Sequence, residues 1–255
     1  MANIIIITQA RIESNRFPSK ILKKINKDSL LEIHLSRLIK SKRANGVIVA
    51  TTFEKDTDKI EMITKKLGIN FFQGDTEDVL DRYYKAAIKY SADYIVRVTS
   101  DCPLIDPNLI DKVIDFTIKE NLDYGSNVLI HNYPDGQDIE VFKFDALKLA
   151  WQEADNISER EHVTPYIINN SSFHGKNSFK AKNFSEEFST SYSKIRMTVD
   201  YKIDLESIRY LVNKKGKFSD WETYAKLVFK TYDKFNNQQI KRNESYLKQI
   251  ENERK

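Results

Sequence analysis

This chain predicts an α/β fold with a mainly parallel mixed sheet and helices on both faces, and three observations carry the prediction. Short unbroken aliphatic runs, IIIIT at 4–8, VIVAT at 47–51 and YIVRV at 94–98, read as strands buried on both faces. Amphipathic helical patterns fall between and after them, over 30–41, 56–67, 76–90 and 108–120. This β-α-β-α order requires right-handed crossovers and therefore parallel pairing.

Taken in order, Ile4–Thr8 is a strand that runs into a loop carrying Arg11, Ser14, Arg16, Ser19 and Lys20. A helix is expected over Leu30–Ser41, and a second strand at Val47–Thr51. Asp56–Leu67 follows as a helix closed by Gly68, then a short strand at Asn70–Gln73. Thr76–Tyr90 is read as a helix with Asp75 placed to cap its start. After the strand Tyr94–Val98, Asn108–Glu120 is a helix with Asp106 as cap and Pro107 in its first turn.

The second half is less regular. Ile139–Phe142 reads as a strand, Phe144–Glu153 as a helix, and Glu159–Asn169 as a helix interrupted by Pro165. Ser171–Ser193, rich in Ser, Asn, Lys and Phe, is expected to form a small hairpin or excursion. Ile195–Val199 returns as a strand, with helices over Leu205–Lys214 and Asp220–Asp233. Residues 1–235 are expected to form one domain, and 236–255 a polar surface helix or tail.

Composition narrows the function classes. The net charge of +4 comes from 41 basic against 37 acidic side chains spread along the chain, unlike the concentrated basic stripe of a nucleic-acid binder. No apolar run approaches the roughly 18 residues that span a bilayer, and the N-terminus lacks the pattern of a secretory leader. The single Cys102 has no partner for an intrachain disulfide, which suits a reducing compartment. A cytoplasmic location is the expectation.

Four further stretches join the first loop as candidates for chemistry. Three cations and two small hydroxyls at a strand's carboxyl end suit a polyphosphate, because ligands of open α/β sheets lie at that edge; the alternative is a basic surface loop. In VRVTSDCPLID (96–106), Asp101 follows a buried strand and either caps the Pro103 turn or faces the same crevice. In RMTVDYKIDLESI (196–208), Asp200 also ends an apolar run, while Asp204 is better placed as a helix N-cap. Two strand-terminal carboxylates suit Mg²⁺, which takes one or two of them beside phosphate oxygens and water.

The remaining two stretches are more polar. GDTEDVLDRYYKAA (74–87) carries Asp78, Asp81 and Arg82 at a helix start. The helix dipole favours the acids there but not Arg82, which points to a ligand or a carboxylate partner. PDGQDIEVF (134–142) places Asp138 and Glu140 on one face of a strand, and EREHVTP (159–165) adds Arg160, Glu161 and His162. These suit a polyhydroxylated ligand, or else form a solvated edge. No second His or Cys stands at zinc-ligand spacing.

In this order the stretches QARIESNRFPSKIL, GDTEDVLDRYYKAA, RVTSDCPLID, PDGQDIEVF, SEREHVTPYI and RMTVDYKIDLE resemble the cytidylyltransferases of bacterial surface-polysaccharide synthesis. The group concerned is named for spore-coat polysaccharide biosynthesis protein F and is similar to the enzymes that activate Kdo and sialic acids as CMP-sugars. The likeness covers residues 4 to about 210. It implies a nucleotide-diphospho-sugar transferase fold, CTP and Mg²⁺, and a homodimer.

By position, the resemblance implies that Gln9, Ala10 and Arg11 line the nucleotide, with Arg11, Ser14 and Lys20 on the triphosphate. It places Asp101 and Asp200 on the metal, Asp78 and Arg82 near the base or ribose, and Asp138, Glu140, Glu161 and His162 on the acceptor. The chain departs from the pattern at Asn15, where Thr is usual, and at Ser19, where Gly is usual. It departs again at Tyr201-Lys202-Ile203-Asp204, in place of Thr-Pro-Glu-Asp. The implied reaction is CMP transfer from CTP to a sugar acid or related acceptor with release of pyrophosphate. Its rivals are a glycosyltransferase of the same fold and a non-catalytic nucleotide-binding relic.

Overall fold

Strand β1 (Ile4–Gln9) explains the layering of the fold. Ile4 and Ile6 point into one apolar layer, Ile5 and Ile7 into the other, and all four are buried. Burying each side chain contributes roughly 1.5–3 kcal/mol, so this strand is stable only when covered on both sides. The computed structural model describes residues 2–14, 16–188, 192–231 and 234–242.

After β1 come a small hairpin of β2 (Lys24–Ile25) and β3 (Asp28–Ser29), then α1 (Leu30–Leu38), β4 (Gly46–Thr51), α2 (Asp58–Leu67) and β5 (Asn70–Gln73). The chain returns through α3 (Val79–Lys89) to β6 (Tyr94–Thr99), α4 (Pro107–Lys119), β7 (Tyr124–Ser126) and β8 (Glu140–Lys143). Helices α5 (Phe144–Glu153), α6 (Ile157–His162) and α7 (Pro165–Asn169) precede β9 (Ala181–Asn183), and α8 (Lys202–Lys215) and α9 (Trp221–Lys230) follow it. The main sheet has the order β5-β4-β1-β6-β8-β7-β9, with only β8 running against the others. One apolar layer lies under α1, α4, α8 and α9, and the other under α3 and α5.

Local chemistry sets the helix ends. At α1, Ser29 Oγ accepts from the Glu32 amide at 3.1 Å while Glu32 Oε2 accepts from the Ser29 amide at 2.7 Å, a reciprocal capping box. Gly68 closes α2 in the left-handed conformation at φ 66°. Asp106 caps α4 through the Asn108 amide, and Asp220 caps α9 through the Thr223 amide.

Several sequence expectations are corrected. Helix α3 starts at Val79 with Asp78 as its cap, and Asp75 instead accepts from the Glu77 and Asp78 amides in the turn before it. The 159–169 helix is two helices broken at Val163. The 171–193 segment does not form a hairpin over its described residues; it supplies β9, paired in parallel with β7 at the sheet edge. Residues 195–199 are extended but not a regular strand, making a single bridge between Arg196 and Asp135. Asp204 sits inside the first turn of α8 rather than at its cap. In the expected tail, Asn237 and Gln238 are buried against Asp204 and Arg196, and residues 243–255 lie outside the described residues. Among the described residues no helix is long and apolar enough to cross a membrane.

Candidate active site

A cleft of about 1070 Å³ opens at the carboxyl ends of β1 and β6. The chain leaves β1 toward β4 on one side and later returns to β6 on the other, so the cleft stands where the sheet's direction of growth reverses. Every site residue expected from the sequence lines it: Gln9, Ala10, Arg11, Ser14 and Lys20 from the first loop, Asp78 and Arg82 from α3, Asp101, and Asp200. Asp138, Glu140, Glu161 and His162 line its other half.

The first loop is tied by backbone hydrogen bonds to β4 at its start and to itself at its end. The Ala10 amide donates to Ala50 O at 3.1 Å, and the Ser19 amide to Ile12 O at 3.0 Å. Ser19 takes the left-handed conformation, φ 54° and ψ 31°, where glycine rests without strain. The departure at Ser19 therefore keeps the backbone geometry a glycine would supply. Asn15 lies outside the described residues.

This turn delivers Lys20 between the two aspartates. Its Nζ donates to Asp101 Oδ2 at 3.2 Å, to Asp200 Oδ1 at 3.1 Å and to Val199 O at 2.8 Å, which engages all three ammonium hydrogens. Arg16 Nη2 reaches Asp200 Oδ1 at 2.6 Å. Burial would lower the Lys20 pKa, but Asp101 and Asp200 outweigh it and raise it. Burial would likewise raise the Asp200 carboxyl, but Lys20 and Arg16 hold it well below the usual carboxylate range.

Behind Asp200 stands Arg196, whose side chain is 4% exposed. Its guanidinium donates to Asp135 at 2.8 Å, to both oxygens of Asp204 at 2.9 and 3.0 Å and to Asp200 at 3.0 Å. Asp204 also accepts from the Asp200 and Tyr201 amides at 2.8 and 2.9 Å, fixing the backbone that presents Asp200. The Asp135–Gly136 turn packs directly on this segment. Gly136 has φ 107°, and a Cβ there would lie 2.8 Å from the Met197 carbonyl carbon, so only glycine fits. Burial and the neighbouring Asp138 push the Asp135 carboxyl up to about 7.

The other half of the cleft is built from paired charges. Glu140 is buried, and its carboxylate accepts from Arg97, from Tyr124 OH at 2.7 Å and from Thr164 Oγ1 at 2.5 Å. The sequence placed it on a strand face toward a pocket or solvent; here it lines the cleft yet is buried and anchors Arg97. Asp138 pairs with Arg242. Asp78 caps α3 and also accepts from Arg160 Nε at 3.0 Å, and Arg160 continues to Trp151 O at 2.7 Å. Arg82 donates to the Asp75 carbonyl, a backbone oxygen rather than the carboxylate partner its position suggested.

Between His162 and Thr164 the chain turns on Val163, at φ 73° and ψ −54°. The Thr164 amide donates to His162 O at 2.8 Å, closing a γ-turn on a fully buried β-branched residue. Such a conformation costs about 1–3 kcal/mol and persists only where packing enforces it. It presents His162 and Thr164 on the same wall.

Two hard carboxylate oxygens, Asp101 Oδ2 and Asp200 Oδ1, converge on one cationic atom, which is the donor chemistry Mg²⁺ takes beside phosphate and water. Among the described residues no group of three His, Cys, Asp or Glu forms a complete metal cage, so phosphate and water would have to supply the other ligands.

Sequence reasoning did not single out Arg97 or Arg196 and left Arg160 with only a general polar role. One signal marks the first two: each is a charge inside an apolar run (YIVRV, IRM), where an unpaired charge is intolerable and a buried partner is implied.

The sequence and the architecture have counterparts among known proteins. The chain is 32% identical over 225 residues to the spore coat polysaccharide biosynthesis protein SpsF of Bacillus subtilis, covering 86% of this chain and 90% of that one. It is 33% identical over 114 residues to the 3-deoxy-manno-octulosonate cytidylyltransferase of Geobacter sulfurreducens, covering 44% of each. The solved structure of a cytidylyltransferase from Leptospira borgpetersenii superposes with a TM-score of 0.85 at 31% identity, covering 95% of this chain and all of that one. The family model described as cytidylyltransferase matches residues 5–246. With the match spanning nearly the whole chain and every motif facing one cleft, this protein belongs to the cytidylyltransferase family and is a nucleotidyltransferase.

Proposed function

We propose that the protein transfers CMP from CTP to an oxygen of a small acceptor, a sugar acid or related compound of surface-polysaccharide or glycoconjugate synthesis, and releases pyrophosphate. The observation that carries this reading is the convergence of Asp101, Asp200, Lys20 and Arg16 at one point of the cleft. An acceptor oxygen attacks the α-phosphorus, the bond to the bridging oxygen breaks, and the electron pair leaves with pyrophosphate while the acceptor's proton passes to solvent.

Little covalent work falls to the protein, so positioning and charge stabilisation dominate. Gln9, Ala10 and Arg11 bind the nucleotide. Arg11, Ser14 and Lys20 take the triphosphate, with Arg16 beside them. Arg presents a planar fork to phosphate oxygens and Lys a point charge. Asp78 and Arg82 flank the base or ribose, and Asp138, Glu140, Glu161 and His162 stand around the acceptor, Glu140 acting through Arg97 and Thr164. Mg²⁺ held by Asp101 and Asp200 would supply charge neutralisation at the phosphates.

The resting ion pairs fit this role. When a triphosphate enters with a dication, Lys20 and Arg16 exchange carboxylates for phosphate oxygens. Each buried charge thus keeps a counter-ion throughout, and an unpaired buried charge, which is costly, never arises. Incubation with CTP, Mg²⁺ and a panel of sugar acids, read by pyrophosphate release and mass spectrometry of the product, tests the proposal. A CMP-linked product supports it; no turnover with any acceptor, or, in a parallel incubation with nucleotide sugars in place of CTP, release of a free nucleoside diphosphate, overturns it.

A further inference from the structure

Helix α1 buries an imidazole among leucines. His34 is fully buried, flanked by Leu30, Leu31, Ile33, Leu35 and Leu38 in the same apolar layer. An aliphatic side chain would be the ordinary occupant, since replacing buried polar partners by apolar groups is often neutral or stabilising. Instead His34 Nδ1 lies 2.9 Å from Cys102 O, and Nε2 lies 2.9 Å from Thr8 Oγ1. A carbonyl can only accept, so Nδ1 carries the hydrogen and Nε2 accepts from the Thr8 hydroxyl. Both contacts are buried, and one neutral tautomer satisfies both.

The two anchored atoms belong to two different walls of the cleft. Thr8 immediately precedes Gln9, Ala10 and Arg11, and Cys102 immediately follows Asp101. From Asp101 the connection continues: its carbonyl accepts from the Val199 amide at 2.8 Å and from Thr198 Oγ1 at 3.1 Å, next to Asp200. One turn along α1, buried Arg37 donates to Ile105 O at 2.7 Å, holding the far end of the same 102–105 turn.

We propose that His34 is a positioning residue: a neutral strut from α1 that fixes the spacing between the nucleotide loop and the Asp101 turn, and through it the Asp200 segment. His34 touches no ligand; it acts through Thr8 and Cys102. Gln can replace it in principle, since its amide offers one donor and one acceptor, whereas Leu fills the space and offers neither.

The test uses the full chain with His34→Leu, His34→Gln and Thr8→Val, the last removing only the hydroxyl. The first readout needs no ligand: hydrogen exchange of amides in 8–12 and 98–105. Loss of one buried hydrogen bond is worth on the order of tenfold in local opening. Both segments should exchange about tenfold faster in His34→Leu, and near the wild-type rate in His34→Gln. In Thr8→Val the change should be concentrated in 8–12.

The second readout is the Kd for CTP with Mg²⁺, which rests on the proposed function. It should weaken about tenfold or more in the Leu and Val variants and by less than about threefold in the Gln variant. Unchanged exchange in folded His34→Leu, or exchange in His34→Gln as fast as in His34→Leu, overturns the strut. Should His34→Leu not fold, Thr8→Val decides it, unchanged exchange in 8–12 being the overturning result. Wild-type protein that does not bind CTP overturns the nucleotide reading instead, and the exchange data still judge the strut.

Discussion

Replacing Arg196 by Met removes the charge but keeps an apolar stem of similar length. Its partners then differ in what they retain. Asp200 still has Lys20 and Arg16. Asp204 keeps two backbone amides and Asn237 Nδ2 at 3.0 Å. Among the described residues Asp135 keeps the cation Arg242, at 4.0 Å, and already feels Asp138. Breaking a buried pair by deleting one partner costs about 3–5 kcal/mol. Two of the three acids stay partly compensated, so the expected loss is near the middle, about 4 kcal/mol. At about 2–4 °C per kcal/mol for a chain of this size, the melting temperature falls by roughly 10 °C. The pH dependence gives an independent sign. The guanidinium restrains the Asp135 carboxyl, which burial and Asp138 push up to about 7. Without it folded Asp135 holds its proton more tightly than in the folded wild type, so the deficit against wild type shrinks as pH falls from 7 to 5. Thermal melts by calorimetry across that range measure both. A loss below about 1 kcal/mol at pH 7, or a deficit that widens on acidification, refutes the reasoning.

Three more outcomes follow from particular contacts. Burial lowers the His34 pKa to about 4, so its neutral form contributes fully above pH 6.5 and loses about 3 kcal/mol as pH falls toward 4. Wild type should therefore lose stability relative to His34→Gln across that window, and parallel curves would count against it. Ser19→Gly relieves a left-handed serine and should raise stability by about 0.5–1 kcal/mol in chemical denaturation; a fall would show that the Ser19 side chain matters more than its backbone. Asp101→Asn should keep the fold by circular dichroism and cut CTP-dependent pyrophosphate release by at least about 100-fold; near-normal release removes Asp101 from the site.

Strands were legible because burial on both faces leaves a continuous aliphatic signature, as at Ile4–Ile7, and helices because of their amphipathic spacing, with Asp106 marking a start and Gly68 an end. Ends set by tertiary contacts were not. Thr76–Asp78 has helical composition, yet Asp75 captures two of its amides and delays α3 to Val79. Ile195–Val199 has strand composition but, among the described residues, makes only an isolated bridge to Asp135; its Met197 and Val199 amides donate to the Asp135 and Asp101 carbonyls. The γ-turn at Val163 had no local signal at all, because valine ordinarily avoids that conformation.

The cleft itself was legible for a different reason: its residues stand at strand ends, where topology forces convergence. Which charges remain for a ligand was not, since that depends on pairing across the sheet. Arg97 lies opposite Glu140 in the β6–β8 register, a neighbour 43 positions away in sequence, and Arg160 finds Asp78 at a separation of 82. Once such pairs are assigned, the half of the cleft lined by Asp138, Glu140 and Arg160 has its arginines and carboxylates largely committed to one another. The polar atoms left over are then informative. Gln9 Oε1, Arg82 Nε and Arg97 Nε are buried, belong to residues lining the cleft, and have no hydrogen-bond partner among the described residues. Buried polar groups without partners are rare and costly. These atoms are one acceptor and two donors shut away from solvent behind the cleft, so a ligand could reach them only after the side chains turn.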